Sequence, residues 1–119
     1  MEQHWEAVMT SSTDAVSVRP MVRADLDDAD DIFRTAFGTF LGLPDPSTTF
    51  GSAELVRTRW AARPDAAFAA VVDGRLAGSN FAAHWGSVGY FGPLTVRPDL
   101  WDRGVGRHLM DPIMDRFAT

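Results

Sequence analysis

The chain has 119 residues, a formal net charge of −5, no cysteine, and eleven basic residues that are all arginine. That length suits one small domain with a modest core. The composition excludes disulfides, thiolate catalysis, cysteine metal sites, a phosphate loop built on lysine, and Schiff-base chemistry. The acidic balance argues against non-specific nucleic-acid binding, which needs a basic face. Met1 to Glu6 is polar rather than a basic start leading into an apolar run, and no apolar stretch approaches the roughly 20 residues of a membrane helix. The expected location is the cytoplasm.

Met1 to Ala15 is polar and aperiodic and reads as a flexible tail before a domain spanning 16–119. Val16-Ser17-Val18-Arg19 alternates as a short strand, which Pro20 interrupts. Leu26, Ala29, Ile32, Phe33, Ala36, Phe37 and Phe40 recur at helical spacing, predicting a helix over Asp25–Phe40. Asp27, Asp28, Asp30 and Asp31 lie near its start, where negative charge suits the helix dipole.

Gly42 to Gly51 carries Pro44, Asp45, Pro46 and Ser47 and reads as a loop. Ser52 can cap a second helix running to Ala62, with Leu55, Val56 and Trp60 inward. A strand follows over Ala66–Val72. Asp73-Gly74 is a hairpin signal, Arg75 to Trp85 a second strand, Gly86-Ser87 a turn, and Val88 to Val96 a third. Gly104 to Phe117 reads as a helix with Leu109, Ile113, Met114 and Phe117 on one face; Pro112 is expected to kink or split it. The order strand, helix, helix, three strands, helix predicts an α+β (layered α/β) fold, an antiparallel meander flanked by helices.

The informative segment is Gly92 to Leu109. A strand ends near Val96, a turn follows, and a helix opens at Gly104 or Gly106. Glycines there let an anion approach bare backbone, the first-turn N–H groups lack helical partners, and the dipole adds partial positive charge. Arg103 and Arg107 flank the turn and can pair with phosphate oxygens. A dinucleotide fingerprint fits worse, because Leu109 stands where its third glycine would be. Spacing alone equally allows a glycine-containing turn that binds nothing.

Leu94-Thr95-Val96-Arg97-Pro98 followed by Trp101-Asp102-Arg103-Gly104-Val105-Gly106 resembles the cofactor motif of the GNAT N-acetyltransferases, Q/R-x-x-G-x-G/A after a strand ending in V-x-P. Val18-Arg19-Pro20-Met21 with Asp25 resembles that family's first strand and helix start. Trp101 stands where the motif usually has Gln or Arg. The resemblance implies acetyl-coenzyme A as co-substrate, with direct transfer to a primary amine of a small molecule or protein. It implies pantetheine amides bonding to backbone at Leu94, Thr95 and Val96, an oxyanion donor near Leu94, and phosphates on Asp102, Arg103, Gly104, Val105, Gly106 and Arg107. It also implies that Phe37, Phe40 and Trp60 line the acceptor pocket.

His84 is a candidate general base, set against an ordinary hydrogen-bonded or exposed histidine. No glutamate follows Glu54, so the family's frequent strand glutamate is missing, and Tyr90 reads as packing. His4, His84 and His108 lack metal-ligand spacing, so no metal is expected. The resemblance further implies strands and a helix beyond the motif helix, where this chain reaches Thr119. The expectation is therefore a partial, truncated GNAT domain, without membrane or nucleic-acid partners and inactive alone. An exposed sheet edge could then pair two copies as a homodimer. The alternative functions are a non-catalytic coenzyme A or anion-binding module, or an inactive fragment.

Overall fold

A computed structural model of the chain describes residues 16–48, 54–85 and 88–118. The tail over 1–15, the Ser52 cap and the Gly86-Ser87 turn lie outside the described residues. The strands are β1 (Val16–Pro20), β2 (Ala67–Val72), β3 (Arg75–Trp85), β4 (Val88–Phe91) and β5 (Thr95–Val96). The helices are α1 (Leu26–Phe40), α2 (Leu55–Ala62) and α3 (Val105–Ala118). The sheet is antiparallel in the order β1-β2-β3-β4, with β5 also paired to β3. The expected meander is present. Asp73 and Gly74 both take positive φ (52° and 77°), as a type I′ turn requires.

β1 and β2 pair from Val16↔Val72 to Pro20↔Phe68, so the strand ends on Pro20, its last paired residue. β1 is an edge strand, where a missing N–H is tolerated. Side chains alternate across β2. Ala67 and Ala69 join Met21, Leu26, Ala29, Phe33, Val56 and Phe81 under α1 and α2. Ala70 joins Val16, Ala77, Leu100, Val105 and Leu109 under α3. These small residues on the central strands let helices pack close on both faces. Phe33 and Phe37 meet edge to face at 5.1 Å.

Two inward assignments fail. Leu55 is 38% exposed, because the short α2 turns Val56 and Trp60 to the core and leaves its neighbour outside. Met114 is 55% exposed, one position off the face carrying Leu109 and Ile113. Of the expected kink or split at Pro112, the split is absent: α3 is one helix over Val105–Ala118 with the proline inside it. Buried Asn80 lies beside the turn that the proline weakens. Its Nδ2 donates to the Leu109 carbonyl at 3.4 Å, and its Oδ1 accepts the Phe81 N–H at 2.9 Å.

One contact pins the start of α1. Arg19 donates to both oxygens of Asp25, at 2.7 and 2.8 Å, and Val22 N–H donates to Oδ2 at 2.8 Å. Asp25 ends a 3-10 turn over Arg23–Asp25, so the α-helix opens one residue later than the sequence predicts. The Arg19 hydrogen bonds, above all, hold the Asp25 carboxyl below its ordinary value; the Val22 N–H and the Arg19 charge assist, and burial opposes them. A depressed carboxylate stabilises the fold above its unfolded pKa of about 4, and that contribution is lost as pH falls through the lower folded value. Asp25→Asn should therefore cost about 1–3 kcal/mol at pH 7. In urea unfolding curves the gap to wild type should close as pH drops below about 4.

Candidate functional site

The predicted strand over Val88–Val96 is two strands. β3 pairs with β4 up to Ala82↔Phe91 and with β5 from Ser79↔Thr95. Between those pairs the outer chain carries one residue more than β3, a bulge at Gly92-Pro93-Leu94 with a cis Gly92–Pro93 bond. Gly92 N–H still reaches the Phe81 carbonyl at 2.8 Å. Beyond the bulge, Arg97 N–H donates to the Ala77 carbonyl at 2.7 Å. Antiparallel alternation then turns the backbone groups of Thr95 and Arg97 toward β3 and those of Leu94 and Val96 away from it. Among the described residues no strand lies on that outer side.

β5 comes this close because of Gly78. A Cβ there would sit 2.3 Å from the Thr95 carbonyl oxygen and 3.1 Å from the Val96 Cα. On the opposite face, Ser79 and Thr95 bring their buried hydroxyls to 3.4 Å.

After β5 the chain makes a 3-10 turn over Pro98–Leu100 rather than passing straight to the helix. Arg97 donates to both carboxylate oxygens of Asp99, at 3.0 and 2.9 Å, and to the Leu76 carbonyl at 3.3 Å. This arginine is thus engaged in the turn. Leu100 and Val105 are buried against Leu109, which anchors both ends of the loop. Asp102 (φ 65°) and Gly104 (φ 82°) take left-handed backbone. Aspartate and glycine tolerate that region best.

α3 opens at Val105, and its first backbone bond is His108 N–H to the Gly104 carbonyl, at 3.2 Å. The N–H groups of Val105, Gly106 and Arg107 therefore precede any helical partner. His108 Nδ1 also lies 2.8 Å from the Gly104 carbonyl. A carbonyl only accepts, so Nδ1 carries the proton. This local role of His108 depends on the helix register, which the spacing of the histidines does not show. Arg103 and Arg107 are exposed at the turn and form no ion pair among the described residues. Asp102, by contrast, adds negative charge to the rim.

A groove of about 370 Å³ runs beside β5, lined by Ala36, Phe37, Phe40, Leu94, Thr95, Val96, Trp101 and Gly106. It shares Phe40, Val96, Trp101 and Gly106 with a second hollow of about 340 Å³ that reaches Asp102, Gly104 and Val105. Together they join the outward edge of β5 to the free N–H groups of α3. At Gly106 a Cβ would lie 3.9 Å from Leu94, an ordinary contact distance, so the two residues face each other across the passage.

The structure therefore gathers Leu94 through Val96, Asp102 and Gly104 through Gly106 with Phe37 and Phe40. Phe40 is 76% exposed and belongs to both hollows. Trp60 stands elsewhere. Its indole donates to the Met21 carbonyl at 3.1 Å, under the Arg23 guanidinium, and it does not line the groove. His84 pairs with Gly89 and Tyr90 with Ala83 in the β3–β4 ladder; their side chains lie outside the described residues. Among the described residues no group of three His, Asp or Glu could hold a metal, and no helix is long and apolar enough to cross a membrane.

The acetyltransferase (GNAT) family model matches residues 26–119. The chain belongs to the GNAT acetyltransferase family. No curated protein matches it in sequence. Among solved structures, it resembles a GNAT family acetyltransferase of Brucella melitensis in complex with acetyl-CoA (TM-score 0.65, 19% identity). It also resembles the PaiA N-acetyltransferase of Thermoplasma acidophilum in complex with coenzyme A (0.68, 15%) and a Pyrococcus horikoshii protein (0.69, 18%). Each match covers 87% of this GNAT chain, against 68%, 72% and 35% of the respective partner. At such identities the likeness is one of fold.

The close approach at Gly78 yields a direct expectation. Gly78→Ala should push β5 off β3 and cost about 1–3 kcal/mol. Hydrogen exchange should show the Thr95 and Arg97 amides losing protection while β2 keeps its own.

Proposed function

We propose that this chain binds acetyl-coenzyme A and transfers the acetyl group to a primary amine. The observation that carries this is the continuity between the outward backbone of Leu94 and Val96 and the N–H groups of Val105, Gly106 and Arg107, which have no partner among the described residues. A ligand with a long amide-bearing arm and a pyrophosphate at its end matches both halves of that path. Bound acetyl-coenzyme A supplies an activated thioester.

The chain's own part is binding and positioning. Leu94 and Val96 offer amide-pairing groups along the arm. The α3 N-terminus with Arg103 and Arg107 holds the phosphates against the charge of Asp102. The Leu94 N–H, turned outward by the bulge, is placed to donate to a carbonyl oxygen gaining negative charge. Phe37 and Phe40 wall the groove and exclude water. The acceptor amine approaches from the open side of β5.

A second reading has a specific observation in its favour. The described residues lining the groove beside β5 include no ionisable side chain that could take a proton from an amine. A coenzyme A-binding module without turnover fits that lining, and the outer side of β4 and β5, unpaired among the described residues, offers an edge where a second copy could add.

Calorimetry with coenzyme A and thiol release from acetyl-coenzyme A with a panel of amines separate the two readings. The transferase reading requires saturable binding with amine-dependent release; binding without release favours the module. Light scattering reports any pairing of copies. Gly104→Asp places a carboxylate at the turn, where the space around the missing Cβ is empty to 4 Å. It should abolish binding, whereas Gly104→Ala, with backbone strain of about 1–2 kcal/mol that is no smaller than that of aspartate and with no charge, should retain it in weakened form. Equal affinity of Gly104→Asp and wild type would remove the site.

A further inference from the structure

Trp101 stands where the family motif has Gln or Arg, and its contacts concern the strand rather than the phosphates. Its indole Nε1–H donates to the Val96 carbonyl at 2.7 Å. That carbonyl is one of the outward acceptors on β5, because the β3 register points it away from the sheet. The ring lines both hollows of the groove, beside Phe40, Val96 and Gly106, and remains 39% exposed. The side chain thus holds, within the chain, the place that an amide of a bound arm would need.

We infer that Trp101 sets ligand affinity by competing with the arm's amide for the Val96 carbonyl, an inference that rests on the coenzyme A reading above. A carbonyl can accept two donors. On the open side of β5, however, the oxygen is already engaged by the indole N–H at 2.7 Å, and an amide arriving from that side must compete for it. Binding then exchanges one hydrogen bond for another, and the Trp101 bond is lost as the arm's bond forms. The net gain from pairing at Val96 is smaller than at an open carbonyl. Specificity shifts toward the phosphate end, to the backbone of Val105 through Arg107.

The opposite role is also physically definite. The same bond closes the loop from Val96 to Trp101 and could merely brace the turn. The two roles predict opposite signs for Trp101→Phe, which keeps an apolar ring and removes the donor. Competition predicts that calorimetry finds coenzyme A binding about 3- to 10-fold tighter in Trp101→Phe, the worth of one hydrogen bond. Adenosine 3′,5′-bisphosphate, which has phosphates and no pantetheine amide, should bind both proteins equally. Bracing predicts weaker binding of both ligands.

A measurement on the wild-type chain removes dependence on how the variant folds. The four tryptophans each give one indole N–H resonance, and the Trp101 peak is the one missing in Trp101→Phe. On coenzyme A titration it should move upfield as its bond to Val96 breaks, alongside the Gly104 and Gly106 amides. A stationary Trp101 peak while those amides respond would overturn the competition and leave coenzyme A binding standing. Equal or weaker coenzyme A affinity in a folded Trp101→Phe overturns it likewise. If no resonance of the wild-type chain responds and no heat is released, coenzyme A binding itself falls, and the competition with it.

Discussion

The site depends on a mismatch of one residue. Between the pairs Ala82↔Phe91 and Ser79↔Thr95, the outer chain spends one residue more than β3 does. A strand without that extra residue would carry its alternation unbroken from Phe91 to Val96. The bulge resets it, so that Thr95 and Arg97 bond inward and Leu94 and Val96 face the open side. Gly78 makes the reset possible by letting Thr95 and Val96 lie against β3 at a distance no side chain would allow. The turn after β5 and the first turn of α3 then follow from where Val96 is left.

The packing around this break has a division of labour. The core under α1 and α2 is built on Phe33, Phe81 and Val56; the one under α3 is built on Leu109, Val105 and Leu100. Leu100 and Val105 bracket the loop that carries Trp101 to Gly104, so both ends of the turn are set in apolar contacts while its middle stays exposed. Such a loop keeps its backbone N–H groups in place without covering them, which an anion site needs. Asn80 serves the same helix further along, within reach of the Leu109 carbonyl in the turn before Pro112. Arg116 ties the far end of α3 to Asp65, ahead of β2.

Local sequence carried much of this. Asp73-Gly74 gave the hairpin because only residues tolerant of positive φ make a type I′ turn, a rule needing no tertiary partner. The periodic run from Leu26 to Phe40 gave α1, and the glycines with Arg103 and Arg107 marked the turn opening α3. The strand limits of β3 were legible in full. Helical spacing shows that Trp60 faces inward but not what it meets; Met21 and Arg23 come from another part of the chain. Met114 and Leu55 failed at face boundaries, where one position separates core from solvent.

What the sequence by itself determined is the set of elements, their order, and the family to which the motif from Leu94 to Gly106 points, because turn chemistry and hydrophobic period are local properties. Only the tertiary structure decided that Val88 to Val96 is two strands, that Pro112 is carried inside a helix, and that Trp101 bonds Val96. Each of these depends on a residue brought in from elsewhere in the chain. The bulge exists only against the register of β3, the helix passes Pro112 with Asn80 of another strand beside it, and the Val96 carbonyl is available to Trp101 only because Gly78 let β5 close on the sheet.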